Sequence, residues 1–160
     1  MSDVIVTVGL DLAKNVFQVH GVDADGRVCV RRKLRRAEVA AFFGELSPCL
    51  VGMEACASSH FWAREIARLG HEVKLMPPAY VKPYVKRGKT DASDAEAICE
   101  AVTRPTMRFG AVKSEEQQAV LILHKTRELL VRLWSMKRRP LRATLSDFAT
   151  VVGPGVDGLS

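Results

Sequence analysis

Residues 86–100 read KRGKTDASDAEAICE, and this stretch places two acidic side chains, Asp91 and Asp94, three residues apart directly after a basic segment. Residues at this spacing share one face of an α-helix, so a helix here brings both carboxylates to one side. Hard cations such as Mg²⁺ prefer carboxylate oxygens and take only one or two from a single element. The stretch therefore predicts part of a metal site whose other ligands lie elsewhere in the chain.

The same two acids also fit a purely structural role. Thr90 or Asp91 can cap the helix, and acids in a first helical turn are stabilised by the helix dipole. The neighbouring basic residues favour the metal interpretation, because positive charge around a metal site suits a polyanionic substrate. The predicted nucleic-acid contacts are Lys14, Lys82, Lys86, Arg87, Lys89, Arg127 and Arg132.

Two further acids stand near the ends of apolar runs upstream. Residues 4–12, VIVTVGLDL, are almost continuously apolar and contain Asp11, and residues 49–55, CLVGMEA, carry Glu54 as their only charge. Such runs are typical of strands that are covered on both faces. A carboxylate in this setting needs a hydrogen-bond partner, a proton or a metal ion. Asp11 and Glu54 are therefore candidate functional residues.

The order of the patterns predicts an α/β fold. An Asp-Gly turn at 25–26 joins two alternating runs, which indicates a hairpin and an antiparallel start to the sheet. The elements are predicted, in chain order, as strands at 4–12, 16–22 and 28–34, a helix at 37–46, a strand at 49–55, a helix at 58–69 and a strand at 71–76. We expect a mixed sheet of about five strands flanked by helices.

The C-terminal part predicts a long helix. Leucines and Trp134 recur after Ser114 at helical spacing, and they are too many for a freely solvated rod, so we expect packing on the core or on another subunit. Pro140 is predicted to interrupt this helix. The predicted organisation is a domain at 1–112, a helical extension at 113–148 and a flexible tail at 149–160.

Composition narrows the class of protein. The 160 residues carry a net charge of +6, which favours a nucleic-acid partner. No apolar run approaches the roughly 18 residues that a bilayer helix needs, so we predict a cytoplasmic protein without a membrane partner. The four cysteines show no CxxC pairing and are predicted to be reduced. His60 and His71, which flank the second helix, are predicted to be surface or capping residues.

Four segments together resemble a known family. They are GLDLAKNVFQVHGVDADGRV, LVGMEACASSHFWARE, LMPPAYVKPYVKRGKTDASDAEAICEAVTRPTMRF and KSEEQQAVLILHKTRELLVR, and they lie in order between residues 4 and 136. They closely resemble the N-terminal domain of the DEDD-type transposases of bacterial insertion sequences, in the family numbered one hundred and ten.

The resemblance implies a fold, a site and partners. The domain of that family is RuvC-like, with a ribonuclease-H-like fold, and its four metal-binding acids match Asp11, Glu54, Asp91 and Asp94. The implied cofactor is Mg²⁺ or Mn²⁺, and the implied chemistry is DNA strand cleavage and transfer. The implied partners are insertion-sequence ends and target DNA, a structured guide RNA, and further copies of the chain in a dimer or larger assembly.

Two departures from the family pattern stand out. Members carry a C-terminal domain with a nucleophilic serine, and we expect no counterpart of that domain within these 160 residues, so neither Ser146 nor Ser160 receives that role. Residues 137–142, KRRPLR, also differ from the family's usual asparagine-containing pattern. The activity of this chain alone is therefore a separate question from the family's activity.

Three alternatives stay open beside the transposase interpretation. The chain could be a catalytically silent DNA- or RNA-binding fragment, which would use its basic patches alone. It could also be a RuvC-like nuclease specific for DNA structure. A kinase of the same broad fold is less favoured, because such proteins place glycine and Ser/Thr after the first strand's acid, where Leu12, Ala13 and Lys14 stand here.

Overall fold

The computed structural model describes residues 4–86 and 91–148, and of Asp91 it describes the backbone but not the side chain. The chain forms two compact units, Met1–Ser114 and Glu115–Ser160. The strands are β1 (Thr7–Asp11), β2 (Val16–Val22), β3 (Val28–Arg35), β4 (Leu50–Glu54) and β5 (Glu72–Met76). The helices are α1 (Val39–Glu45), α2 (Ser59–Arg68), α3 (Pro78–Val81), α4 (Asp91–Val102) and α5 (Glu115–Asp147), with 3₁₀ turns at Arg36–Glu38 and Lys82–Tyr84.

The five strands form one mixed sheet in the order β3-β2-β1-β4-β5. Strands β1, β2 and β3 pair antiparallel, whereas β4 runs parallel to β1 and β5 runs parallel to β4. This arrangement confirms the predicted α/β fold with a five-stranded mixed sheet of the ribonuclease-H-like type. The antiparallel hairpin turns at Gly26, whose φ of 80° is the left-handed conformation that glycine adopts without strain.

The two faces of β1 and β4 have different neighbours. Val8, Leu10, Val51 and Met53 belong to a buried cluster that includes Phe43 of α1 together with Trp62 and Ile66 of α2. Side chains alternate along a strand, so the residues between them face the other side, where α4 packs. The central strands are therefore covered on both faces, as their continuous apolar runs predict.

Pro77-Pro78 follows the end of β5, and Pro78 opens α3 because its fixed φ suits the first position of a helix. Two local predictions were wrong. Pro140 lies inside α5 and does not interrupt it, since proline removes only one backbone donor from a helix of 33 residues. His71 is buried rather than exposed, and it accepts the Cys49 N–H at Nδ1 (3.2 Å) and donates from Nε2 to the Phe43 carbonyl (2.8 Å).

The helix α5 is described by itself. None of its residues is buried, and large apolar side chains such as Leu123 (70% exposed) and Leu130 (61% exposed) face solvent. No helix in the described ranges combines the length and apolar content that crossing a membrane requires. The predicted tail at 149–160 lies outside the described residues.

Candidate functional site

Two of the predicted acids end neighbouring parallel strands. Asp11 is the last residue of β1, and Glu54 is the last residue of β4. Leu10 lies beside Met53 in the parallel register, so Asp11 and Glu54 follow at equivalent positions. The carboxyl ends of adjacent parallel strands thus bring two acids to one edge of the sheet, where ligand sites of α/β proteins commonly form.

Glycines determine which face these acids share. A Cβ atom built on Gly9 would lie 2.1 Å from the Ala95 carbonyl oxygen, and one built on Gly52 would lie 2.7 Å from the Val102 Cβ. Both glycines therefore face α4 at close range. Asp11 and Glu54 stand two residues further along their strands, so their side chains leave the sheet on the same face.

The helix α4, which packs on this face, contributes a third acid, Asp94. Its close approach to Gly9 occurs at Ala95, directly after Asp94, so Asp94 lies near the end of β1. Burial raises the pKa of the Glu54 carboxyl first, and the negative charge of Asp94 raises it further, while Lys82 lowers it. The structure thus brings Asp11, Glu54 and Asp94 to the same face and edge of the sheet. Asp91 begins α4, and its side chain is not described.

Oxygen ligands are the only donors that these acids supply, which fits a hard divalent cation. Across 4–86 and 91–148, no three His, Cys, Asp or Glu side chains are arranged as a ready metal site, and the Asp91 carboxylate is not among those compared. The mutual repulsion of Glu54 and Asp94 is the kind of interaction that a bound cation relieves. The donor set is therefore compatible with Mg²⁺ or Mn²⁺.

Glu54→Gln is expected to stabilise the metal-free chain at neutral pH. A carboxyl whose folded pKa is raised stabilises the fold in its protonated form, and this contribution is lost as the pH rises through the folded pKa. The variant should therefore have a higher Tm than the wild type at neutral pH, because it removes the ionised group, and an equal Tm below the usual carboxyl pKa. Thermal unfolding followed by circular dichroism in EDTA measures both.

The matched control for that experiment is Asp25→Asn. Asp25 lies at the far end of the sheet on the exposed β2–β3 turn, where it pairs with Arg27 at 3.7 Å. Surface ion pairs contribute little to stability. Asp25→Asn should change the Tm little at either pH, and an equal pH-dependent gain in both variants would show that net charge, rather than the site, is responsible.

The predicted basic contacts differ in their surroundings. Lys14 is exposed in the loop after β1. Lys82 lies in the 3₁₀ turn Lys82–Tyr84, and its positive charge acts on the Glu54 carboxyl. Lys86 is exposed but bonds to Glu96 at 2.5 Å, and Glu96 also pairs with Arg31. Arg127 and Arg132 are exposed on α5, whereas Arg87 and Lys89 lie outside the described residues.

The interpretation of the sequence missed the positioning role of Gly9 and Gly52. Their signal was present as a repeated pattern, Gly-Leu-Asp at 9–11 and Gly-Met-Glu at 52–54. In each case the glycine admits the helix backbone and the acid follows on the same face.

Comparison with known proteins decides the family. A family model of the IS110-type DEDD transposases, described as a transposase, matches residues 8–149.

The chain belongs to the IS110-type DEDD transposase family.

Three curated relatives show the extent of the similarity. A probable family 20 transposase from Pseudomonas aeruginosa is 56% identical over 144 residues, which are 90% of this chain and 43% of the relative. The transposase for IS1328 from Yersinia enterocolitica is 41% identical over 95% of this chain and 46% of its own length. The transposase for IS1111A from Coxiella burnetii is 37% identical over 97% of this chain and 42% of its own length. The chain therefore spans less than half the length of each of these transposases, and all four predicted acids lie within the family match.

Proposed function

We propose that this chain supplies the metal-dependent phosphodiester site of an IS110-type DEDD transposase. The substrates are insertion-sequence ends and target DNA, and a structured RNA guides the complete protein. One observation carries the proposal. The neighbouring parallel strands β1 and β4 end in Asp11 and Glu54, and both acids lie on the sheet face that α4, which contains Asp94, covers. This arrangement gathers negative charge along one edge of the sheet, and a fragment that only bound DNA would not need it there.

Each acid has a role in this proposal. Asp11, Glu54, Asp91 and Asp94 hold Mg²⁺ or Mn²⁺, and Asp11 lies centrally because β1 is flanked by strands on both sides. When bound, a pair of such ions activates the attacking oxygen and stabilises the leaving oxygen of an in-line displacement. Lys82 offsets part of the negative charge beside Glu54 and orients a phosphate toward the acids. The glycines keep α4 close enough for Asp94 to share the site.

Metal should stabilise the folded chain if this proposal holds. Millimolar Mg²⁺ or Mn²⁺ is expected to raise the Tm, since a ligand at about 100 times its Kd stabilises the native state by about 2.7 kcal/mol. Glu54→Gln and Asp94→Asn should each abolish most of the shift, whereas Asp25→Asn should retain it. A chain whose Tm does not respond to either metal, or variants that respond as fully as the wild type, would contradict a site built from these acids.

We also propose that the exposed apolar side chains of α5 pack against a second copy of the chain. A 33-residue helix with no buried residue leaves Leu129, Leu133 and Trp134 about half exposed. Burying such a surface in a helix pair is a common route to dimers. Two protomers would also present two acidic sites, as joining two DNA partners requires. Light scattering that shows a monomer at high micromolar concentration, with or without nucleic acid, would contradict the dimer.

A further inference from the structure

A small pocket lies between α3, with the 3₁₀ turn that follows it, and the segment after α4. Its volume is about 290 Å³, and its lining includes Tyr80, Pro83, Tyr84, Met107 and Arg108. This volume is slightly below the range for drug-sized ligand sites, which is about 300–1,000 Å³. The space suits one planar ring system better than a folded peptide segment.

The lining presents aromatic surface together with a cation. Tyr80 is 44% exposed although it is a large, partly apolar side chain. The Arg104 guanidinium lies 5.6 Å from the centroid of the Tyr84 ring, and it is also paired with Glu100, so this ring has a fixed neighbour. Exposed aromatic rings next to arginine bind nucleobases by stacking, and they do so with little sequence preference.

The charge around the pocket favours an anionic ligand. No acidic side chain among the described residues lines it, and Arg108 in the lining supplies a positive charge. Lys82 stands next to Pro83 in the same 3₁₀ turn. A ligand that joins a flat aromatic ring to a negative charge matches both features, and a nucleotide of a single strand is such a ligand.

The pocket follows the acidic edge of the sheet along the chain. Met76, the last residue of β5, pairs with Glu54 in the parallel register, and α3, which contains Tyr80, begins at Pro78. Pro83 and Tyr84, which line the pocket, come directly after Lys82. A strand whose phosphate contacted Lys82 would therefore pass both the acidic edge of the sheet and the pocket.

We propose that this pocket binds one unpaired nucleobase of the strand that passes the acidic site. Tyr80 stacks on the base, and Arg108 neutralises an adjacent phosphate. The inference rests on the proposed function, because it assumes that nucleic acid crosses this face. Stacking on Tyr80 holds the neighbouring phosphodiester in register with Asp11, Glu54 and Asp94.

Binding of single strands by the 160-residue chain in EDTA tests the pocket. Fluorescence anisotropy is measured with a labelled DNA strand, an RNA strand of the same sequence and an abasic DNA strand of equal length and charge. Tyr80→Leu keeps an apolar side chain but removes the ring, so it should weaken binding of the base-containing strand by about fivefold or more. Binding of the abasic strand should not change.

Phe61→Leu is the matched control. Phe61 is an aromatic side chain of similar exposure (43%) on α2, which packs on the other face of the sheet, so its replacement should leave binding unchanged. A strand carrying 4-thiothymidine should crosslink on irradiation to a peptide that contains Tyr80 or Met107. Tyr80→Leu can weaken binding of the DNA strand, of the RNA strand or of both, and the strand that is affected is the one that the pocket binds.

The outcomes separate the pocket from the proposed function. If the wild type binds strands but Tyr80→Leu binds them equally well and no crosslink maps to these residues, the pocket proposal is wrong and the proposed function is unaffected. If Tyr80→Leu weakens abasic and base-containing strands equally, the ring does not stack on a base and the pocket proposal is again wrong. A wild type that binds no strand at low salt would contradict both proposals.

Discussion

Gly9→Ala is expected to lower the Tm of the chain by roughly 10 °C or more. The added Cβ would lie 2.1 Å from the Ala95 carbonyl oxygen and 2.5 Å from the Cys99 backbone nitrogen. These are backbone atoms of α4, so no side-chain rotation relieves the clash and the helix must move away from β1. Because Asp94 precedes Ala95, the displaced helix should also lose the stabilisation by Mg²⁺ or Mn²⁺. Thermal unfolding with and without metal measures both effects.

Two other glycines provide a graded control. At Gly52 the added Cβ would meet the Val102 side chain at 2.7 Å, which can adjust more easily than backbone, so Gly52→Ala should destabilise less than Gly9→Ala. Gly44 lies inside α1 with no described atom within 4 Å of an added Cβ, and alanine there should stabilise the helix by about 0.5–1 kcal/mol. Equal Tm values for all three variants would mean that α4 does not approach the sheet through these glycines.

On the proposed function, Asp11→Asn and Asp94→Asn should each reduce strand cleavage and joining by a factor on the order of 10³ or more, since each removes a carboxylate that would hold the metal ion. Both changes keep the size of the side chain, so the fold should remain. The measurement is the number of new donor–target junctions, counted by quantitative PCR in cells that express the full-length transposase with each change.

Asp25→Asn is again the control, because it alters an exposed acid at the opposite end of the sheet. Its junction count should match the wild type. Circular dichroism of the purified variants distinguishes loss of chemistry from loss of folding. If Asp11→Asn gives as many junctions as the wild type, Asp11 is not part of the catalytic site. If Asp94→Asn gives as many, α4 does not contribute to that site.

The sequence was most informative where local physics decides the structure. The apolar runs at 4–12 and 49–55 predicted buried strands, and the acids Asp11 and Glu54 stand at the strand ends that those runs indicated. The Asp-Gly turn at 25–26 predicted the hairpin, because the positive φ at Gly26 depends on only a few neighbouring residues. Local periodicity therefore sufficed for most of the sheet.

The sequence was least informative where segments distant in the chain come into contact. Whether Lys86 is free or paired depends on the path of the chain to Glu96, ten residues later, and the pattern of charges does not contain that path. His71 is buried because α1 and the start of β4 supply its partners, Phe43 and Cys49, from more than twenty residues away. The close approach of α4 to Gly9 likewise becomes visible only when both elements are placed.

The central claim is that acids from β1, β4 and α4 form one metal site, and anomalous X-ray scattering from crystals of the chain grown with Mn²⁺ tests it most directly. The account predicts an anomalous peak at the carboxyl edge of β1 and β4, bound by Asp11 and Glu54 together with Asp91 or Asp94. Manganese bound only elsewhere on the chain, or a Glu54 side chain directed to the face covered by α1 and α2, would contradict it.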